Sequence, residues 1–373
     1  MPHQTRQTHQ KRFERLPELL DKNGLDACFL APSSDLKYVT GIDLKPDSRL
    51  KGLLLTREGR GFFLCPSLYR EDVRAVEALV PVIEWSDATG FQGLFRKGLE
   101  ELGLRAPMTV AFSRGIEAGD MLDAMEGLGA TCVNGFSLLS PLRSVKTAEE
   151  QALMRRASAM CDAMMEELSL YLRPGLTEGD IRKFIMIFHE SHGGKPRVPC
   201  AASGPNSSRP HYSGENDRAL EEDDIVMIDS GGWYDGYSHD MTRTFFIGTP
   251  TEEQRRVYDI VFRAQDAAEK AAAIGAIPAE LDKIARDIIE AEGYGDAFPH
   301  RLGHGIGMDG HEAPYISQAN ETPLVEGNCF SIEPGIYLPG KFGVRIENLL
   351  MLTSSGREVL NRFPKELIVV RGA

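Results

Sequence analysis

Cysteine and tryptophan are scarce in this sequence. Its 373 residues include 6 Cys and 2 Trp, and the cysteines are scattered with no CxxC pair. A disulfide-stapled scaffold or a structural zinc knuckle needs closely spaced cysteines. We therefore exclude both and interpret the cysteines as reduced thiols.

Long apolar runs and an excess of positive charge are also missing. No window approaches the roughly 18 apolar residues of a membrane span, and residues 1–16 lack the apolar core of a signal peptide. The formal charge is −13, whereas phosphate recognition needs a surface rich in Lys and Arg. We expect a cytoplasmic protein with neither a membrane nor a nucleic-acid partner.

The length and the order of helical and strand-like stretches indicate two domains. Residues 1–142 alternate short apolar runs with helical stretches, which predicts a smaller α/β domain. Residues 143–373 combine long helices with strands rich in Ile, Val and Phe, which predicts an α+β domain. The predicted helices are 9–22, 148–172, 177–191, 251–273 and 278–292. The predicted strands of the first domain are 27–30, 52–55, 62–64, 80–83 and 108–111.

A first pair of carboxylates is predicted on one hairpin. The Asp-Gly dipeptide at 235–236 favours a tight turn with positive φ at both central positions. Folding the chain there places Asp229 opposite Thr242, with Asp240 as a diagonal neighbour on the same face. The alternative is a pair of acids on a solvated edge. Asp229 follows the apolar run 225–228, however, and a buried acid needs a cation or several donors.

A second pair of carboxylates flanks another predicted turn. Glu333 and Glu347 lie seven residues on either side of Gly340 and could face each other across two strands. Like charges directly opposite one another are destabilising unless something neutralises them. A bound cation or a salt bridge to Arg345 or Lys341 would do so.

A glycine-rich segment carries histidines. Residues 300–315 contain His300, His304 and His311 together with four glycines, which favours tight turns or a close approach of the backbone to a ligand. Four acids and one imidazole suit two divalent cations such as manganese, cobalt, iron or zinc better than copper.

These motifs resemble the pita-bread metallopeptidases, in the branch of creatinase, prolidase and aminopeptidase P. The matching segments, in the family's order, are DSGGWYDGYSHDMTRTF (229–245), GHGIGMDGHEAP (303–314), SIEPGIY (331–337) and VRIEN (344–348). DLKYVTGI (35–42) and LRSVKTAEE (142–150) resemble the family's N-terminal domain and its junction. The resemblance implies a C-terminal pita-bread catalytic domain preceded by a creatinase-like α/β domain, and a homodimer.

The resemblance also implies a site. It implies two divalent metal ions per subunit, with Mn²⁺ preferred over Co²⁺, Zn²⁺ and Fe²⁺, bound by Asp229, Asp240, His304, Glu333 and Glu347. The implied catalytic residues are His211, His311 and Glu333. The implied substrate-binding residues are His300, Arg345 and Tyr315.

The implied reaction is hydrolysis of the Xaa-Pro bond in dipeptides or short peptides. Tyr315 stands where prolidases specific for dipeptides often have an arginine, so an aminopeptidase P that acts on longer peptides stays open. A creatinase-like C–N hydrolase and a non-catalytic peptide-binding relative are less favoured, because all five metal-binding residues are present. A metal-dependent lyase is less favoured because the sequence near Asp229 lacks the additional changes that such lyases carry.

Overall fold

A computed structural model describes residues 6–214 and 217–370 of the chain. The chain divides into two compact units, Met1–Pro141 and Leu142–Ala373. The predicted domain boundary, between residues 142 and 143, lies one residue further along. Among the described residues, no helix is long and apolar enough to cross a membrane.

The first unit is built around one mixed sheet. Its strands are β1 (Ala27–Leu30), β2 (Gly52–Thr56), β3 (Gly61–Pro66), β4 (Val82–Trp85), β5 (Met108–Phe112) and β6 (Ala130–Asn134). They are ordered β4-β3-β2-β1-β5-β6, with β1–β2 and β2–β3 antiparallel and the other pairs parallel. Its helices are α1 (Arg6–Phe13), α2 (Leu16–Lys22), α3 (Ser34–Thr40), α4 (Gln92–Leu102) and α5 (Ala118–Met125), and α6 (Ser140–Arg143) follows at the boundary.

Two elements of this unit differ from their predicted bounds, and a proline explains each difference. The predicted helix 9–22 is two helices, because Pro17 lies in the first turn of α2, where its missing N–H is tolerated. The predicted strand 80–83 begins instead at Val82, directly after Pro81. Proline cannot donate to a strand ladder, which explains the shift.

The second unit begins with two long helices that the sequence predicts closely. They are α7 (Ala148–Tyr171) and α8 (Glu178–Ser191). Both begin with a capping box, in which Thr147 pairs with Glu150 and Thr177 pairs with Asp180. The later helices α9 (Glu252–Ala271) and α10 (Pro278–Ala291) also match the prediction.

The strands of the second unit lie in three sheets. The first sheet contains β7 (Lys195–Pro196), β8 (Cys200–Ser203), β9 (Ile225–Tyr234), β10 (Tyr237–Ile247) and β18 (Ile368–Val370); the second contains β11 (Gly303–Gly305), β12 (Glu312–Ile316), β13 (Cys329–Ile332), β16 (Asn348–Thr353) and β17 (Gly356–Val359); the third pairs β14 (Gly335–Leu338) with β15 (Phe342–Arg345). One apolar cluster joins α7 and α8 to β8, β9 and β10, and another joins α9 and α10 to β13 through β16.

The register of the β9–β10 hairpin is the predicted one. Asp229 pairs with Thr242 and Asp240 pairs with Gly231, so the two carboxylates share a face. The turn is an Asp-Gly dipeptide with φ of 52° and 85° at residues 235 and 236. Both values lie in the left-handed region that a type I′ turn requires.

The second hairpin keeps its predicted register but breaks in the middle. Gly335 pairs with Arg345 on one side of the break, and Ile332 pairs with Asn348 on the other. Counting inward from both sides places Glu333 opposite Glu347, between the two ladders. The strands therefore separate where the two glutamates lie.

Candidate metal centre

The five predicted metal-binding side chains converge on one cavity of about 300 Å³ in the second unit. They are Asp229, Asp240, His304, Glu333 and Glu347. Ligating atoms of Asp240, His304 and Glu347 lie within 4.8 Å of one another, close enough to share one ion. The two hairpins and the glycine-rich β11 strand bring these residues together.

Two arginines neutralise part of the first carboxylate pair. Arg345 Nη2 donates to Asp229 Oδ2 at 2.7 Å. Arg197 Nη2 lies between the two aspartates and donates to Asp240 Oδ1 at 2.8 Å and to Asp229 Oδ1 at 3.2 Å. When all four carboxyl groups of the site are ionised, these two guanidinium groups balance only half of their charge, which favours further cations.

The glutamates are each oriented by a hydroxyl group. Ser331 Oγ donates to Glu333 Oε1 at 2.9 Å, and Thr242 Oγ1 donates to Glu347 Oε2 at 2.8 Å. The other oxygen of Glu347, Oε1, is buried and has no hydrogen-bond partner among the residues that the structure describes. A buried, unpaired carboxylate oxygen is costly, and a bound cation would satisfy it.

The salt-bridge alternative for the glutamates is wrong. Arg345 is paired with Asp229 rather than with a glutamate. Lys341 Nζ points to Glu253 Oε1 at 2.9 Å, and that pair is exposed. Within the described residues, neither Arg345 nor Lys341 therefore forms a salt bridge with Glu333 or Glu347.

His304 has the orientation of a metal ligand. Its Nδ1 lies 3.1 Å from the Gly305 carbonyl oxygen, which can accept a hydrogen bond only from a protonated ring nitrogen. Its Nε2 lies 3.1 Å from Glu333 Oε1 inside the cavity. A backbone carbonyl that fixes the tautomer is the usual partner of a metal-binding histidine, because it presents the other nitrogen to the ion.

The electrostatics of the cavity also fit a cation. Burial raises the pKa of Asp240 to about 6, an effect that Arg197 opposes and Asp229 reinforces. Burial, then Asp240 and Glu333, raise the pKa of Glu347 well above its usual range. Burial would also raise the pKa of Asp229, but Arg345 and Arg197 outweigh it and the pKa is lowered. Carboxylates that are costly to ionise together indicate a site built for positive charge.

Both predicted catalytic histidines border the same cavity. His211 and His311 are exposed and line it. The His311 ring lies edge-on to that of His304, with centroids 4.0 Å apart. Loss of hydration in the cavity, followed by the charge of His304, lowers the pKa of His311 to about 4. At neutral pH His311 is therefore an uncharged imidazole that can donate one hydrogen bond.

The described residues that line this cavity do not include the predicted substrate-binding residues His300, Arg345 and Tyr315. The Tyr337 hydroxyl lies 2.9 Å from His300 Nε2 and 2.8 Å from Arg345 Nη1. The guanidinium carbon of Arg301 lies over the ring of Tyr315, 4.6 Å from the ring centroid. Direct contact of His300, Arg345 and Tyr315 with substrate stays a prediction.

No sequence motif points to Arg197 or His189. Arg197 belongs to no motif, and only the pairing of its segment with β9 brings it to the aspartates. His189 lies in the last turn of α8, outside any metal-binding motif. It is fully buried, with its Nε2 3.1 Å from His239 Nε2.

The comparisons with known proteins concern the family of the chain. Residues 152–354 match the model of metallopeptidase family M24, and residues 12–145 match the creatinase/prolidase N-terminal domain. The probable dipeptidase PepE of Mycobacterium tuberculosis is 37% identical over 353 residues, covering 93% of this chain and 92% of that protein.

Two solved structures share the whole fold. The dipeptidase PepE of Mycobacterium ulcerans superposes with a TM-score of 0.93 at 34% identity, covering 99% of this chain and 100% of its own. The prolidase of Thermococcus sibiricus gives 0.92 at 32% identity, with coverage of 99% and 100%. The predicted fold, a pita-bread domain after a creatinase-like domain, is confirmed. The chain belongs to metallopeptidase family M24.

Proposed function

We propose that this chain hydrolyses the peptide bond before proline in Xaa-Pro dipeptides, using two divalent cations held by Asp229, Asp240, His304, Glu333 and Glu347. The observation that carries the proposal is the convergence of these side chains, with His211 and His311, on one cavity. Oxygen-rich ligands with one imidazole favour Mn²⁺, with Co²⁺, Zn²⁺ or Fe²⁺ as substitutes.

The substrate class follows from size and from similarity. A cavity of about 300 Å³ is at the small end of ligand sites, which favours a dipeptide over a long chain. The similar proteins named above are dipeptidases and a prolidase. A longer substrate, as cleaved by an aminopeptidase P, is the alternative.

The chain's own side chains would handle the protons and the charge of the reaction. When bound, the cations polarise the scissile carbonyl and activate water. Glu333 accepts the proton of the attacking water at its carboxylate. His311, neutral at pH 7, donates an N–H to the oxygen that gains charge.

The leaving group sets a further requirement. The nitrogen of proline carries no N–H in the substrate and must gain a proton to leave. The proton that Glu333 accepts from water meets this requirement, and His211, which borders the cavity and is exposed, is placed to relay it to the nitrogen.

A substrate panel with a matched variant pair tests the proposal. The Mn²⁺-loaded chain is assayed on Xaa-Pro dipeptides and on Xaa-Pro-Yaa tripeptides. Asp240→Asn should abolish most activity and lower the Mn²⁺ content, whereas Asp235→Asn, on the turn of the same hairpin, should alter neither. Hydrolysis of tripeptides alone would favour the aminopeptidase alternative, and wild-type rates in Asp240→Asn would refute the metal site.

The cytoplasmic location, expected from the composition of the sequence, and the homodimer, implied by the family resemblance, are part of the same proposal. Light scattering of the purified chain at micromolar concentration tests the dimer, and a monomer mass would refute it. Cell fractionation tests the location.

A further inference from the structure

The guanidinium of Arg197 occupies a slot shaped for it beside the proposed metal site. Its backbone N–H donates to the Gly231 carbonyl at 3.0 Å, which fixes the segment between β7 and β8 against β9. A Cβ atom on Gly231 would lie 2.6 Å from Nη2, and one on Gly310 would lie 3.2 Å from Nη1. The missing side chains of two glycines therefore make the room that the guanidinium fills.

The Arg197 side chain has nitrogen donors that its observed hydrogen bonds do not use. Only Nη2 is engaged, by the two aspartates, and in the described part of the chain Nε and Nη1 make no hydrogen bond. The side chain is 29% exposed and lines the cavity. Cations bound at Asp229 and Asp240 would compete with Nη2 for those oxygens and would not compete with Nε or Nη1.

No other Arg or Lys among the described residues lines this cavity. Arg345 is buried and makes four hydrogen bonds, to Thr242, Pro210, Tyr337 and Asp229. Arg301 stacks on the Tyr315 ring outside the cavity. Within the described residues, Arg197 is therefore the only Arg or Lys side chain that an anionic group of a substrate could meet in this cavity.

A dipeptide brings such a group. Its C-terminal carboxylate carbon is three bonds from the scissile carbonyl carbon, within about 4 Å. A guanidinium fork fits a planar carboxylate with two parallel hydrogen bonds. In a longer peptide the same position holds a neutral amide, which offers one carbonyl acceptor and no charge.

From this geometry we infer that Arg197 binds the C-terminal carboxylate of the substrate and thereby selects dipeptides over longer peptides. The inference rests on the proposed function, since it assigns the specificity of the same site. Arg197 would then take the role of the arginine that dipeptide-specific prolidases often have at the position of Tyr315.

The test compares a free acid with its amide. The Mn²⁺-loaded chain is assayed on Ala-Pro and on Ala-Pro amide, which differ only in the group that Arg197 would bind. Arg197→Gln should lower kcat/KM for the acid about 10- to 100-fold, mainly through KM, because a hydrogen-bonded charge is lost. The amide should change less than about threefold. Arg301→Gln, which removes the same charge outside the cavity, should leave the ratio of acid to amide unchanged.

Two further measurements separate recognition from support of the metal site. The Mn²⁺ content of Arg197→Gln should equal that of the wild type, and calorimetry should show that the wild type binds L-proline more tightly than L-prolinamide, a preference lost in the variant. Equal losses on acid and amide, or a loss of Mn²⁺, would overturn the inference and leave Arg197 as a support for the aspartates.

Failure of the proposed function has a different signature. If the wild type cleaves neither substrate, the prolidase proposal is wrong. Proline binding then still decides the role of Arg197, since equal affinity for proline and prolinamide refutes recognition of the carboxylate.

Discussion

Asp240→Asn should stabilise the metal-free protein although it destroys the site. Asp240 is 2% exposed, and burial is the largest of the effects that raise its pKa from 3.8 to about 6. An ionised Asp240 in the metal-free fold is therefore held at a cost. Asparagine removes the charge, keeps the shape and still offers Oδ1 to Arg197.

The size of the effect follows from the pKa. A shift of about two pKa units corresponds to about 3 kcal/mol at roughly 1.4 kcal/mol per unit. For a unit of this size each kcal/mol moves Tm by about 2–4 °C. The charge-assisted bond from Arg197 weakens in the variant, so we expect a rise in Tm of about 4–8 °C at pH 7.

The effect has a defined pH window. The folded-state pKa of Asp240 lies above its unfolded value, so the folded protein binds the proton more tightly. Below about pH 4, Asp240 is protonated in both the folded and the unfolded state and does not change the stability of the wild type. As the pH rises from about 4 to about 6, the wild type loses stability, because the unfolded state releases this proton first. The advantage of the variant should therefore grow between about pH 4 and 6 and stay constant above.

Differential scanning fluorimetry after chelation, from pH 4 to 8, measures this difference. Asp235→Asn serves as the control because it removes a carboxylate from the same hairpin outside the cavity. Saturating Mn²⁺ should reverse the order of stability, because only the wild type keeps all ligands. A metal-free Asp240→Asn less stable than wild type at pH 7, or a difference independent of pH, would refute the reasoning.

Three other substitutions have defined outcomes. Arg345→Met should lower the free energy of unfolding by about 3–5 kcal/mol in urea titration, because it strips a buried carboxylate of its partner; Arg155→Met, at an exposed pair with Glu358, should cost under about 1 kcal/mol. His311→Ala should lower kcat about 10²- to 10³-fold at unchanged Mn²⁺ content, as for a lost oxyanion donor, and a drop below threefold would exclude that role. Thr251→Ala removes the capping box of α9 and should cost about 1 kcal/mol in the same urea titration, whereas no change would show that packing alone holds the helix start.

Both hairpins could be predicted because their registers depend on local rules. An Asp-Gly turn determines which residues of β9 and β10 face each other, and strand alternation then places Asp229 and Asp240 on one face. The turn at Gly340 does the same for Glu333 and Glu347. The family and its fold, predicted from the motifs, are confirmed by the comparisons.

Contacts between segments far apart in the chain could not be predicted from the sequence. His189 looks like a polar residue at a helix end, but a Cβ on Gly232 would lie 3.1 Å from its ring. The missing side chain lets the ring pack inside against His239. Arg197 is hidden for the same reason, since its slot depends on two glycines from segments far apart in the chain.

The two arginines on Asp229 differ in how many of their donors are used. Arg345 is buried, with hydrogen bonds to four residues, so it serves as a fixed counter-charge that holds one ligand in place. Arg197 is partly exposed and, within the described part of the chain, uses only Nη2, which leaves two nitrogens for a substrate. Loss of Arg345 should therefore appear in the free energy of unfolding whatever the substrate is, whereas loss of Arg197 should appear in the choice between acid and amide.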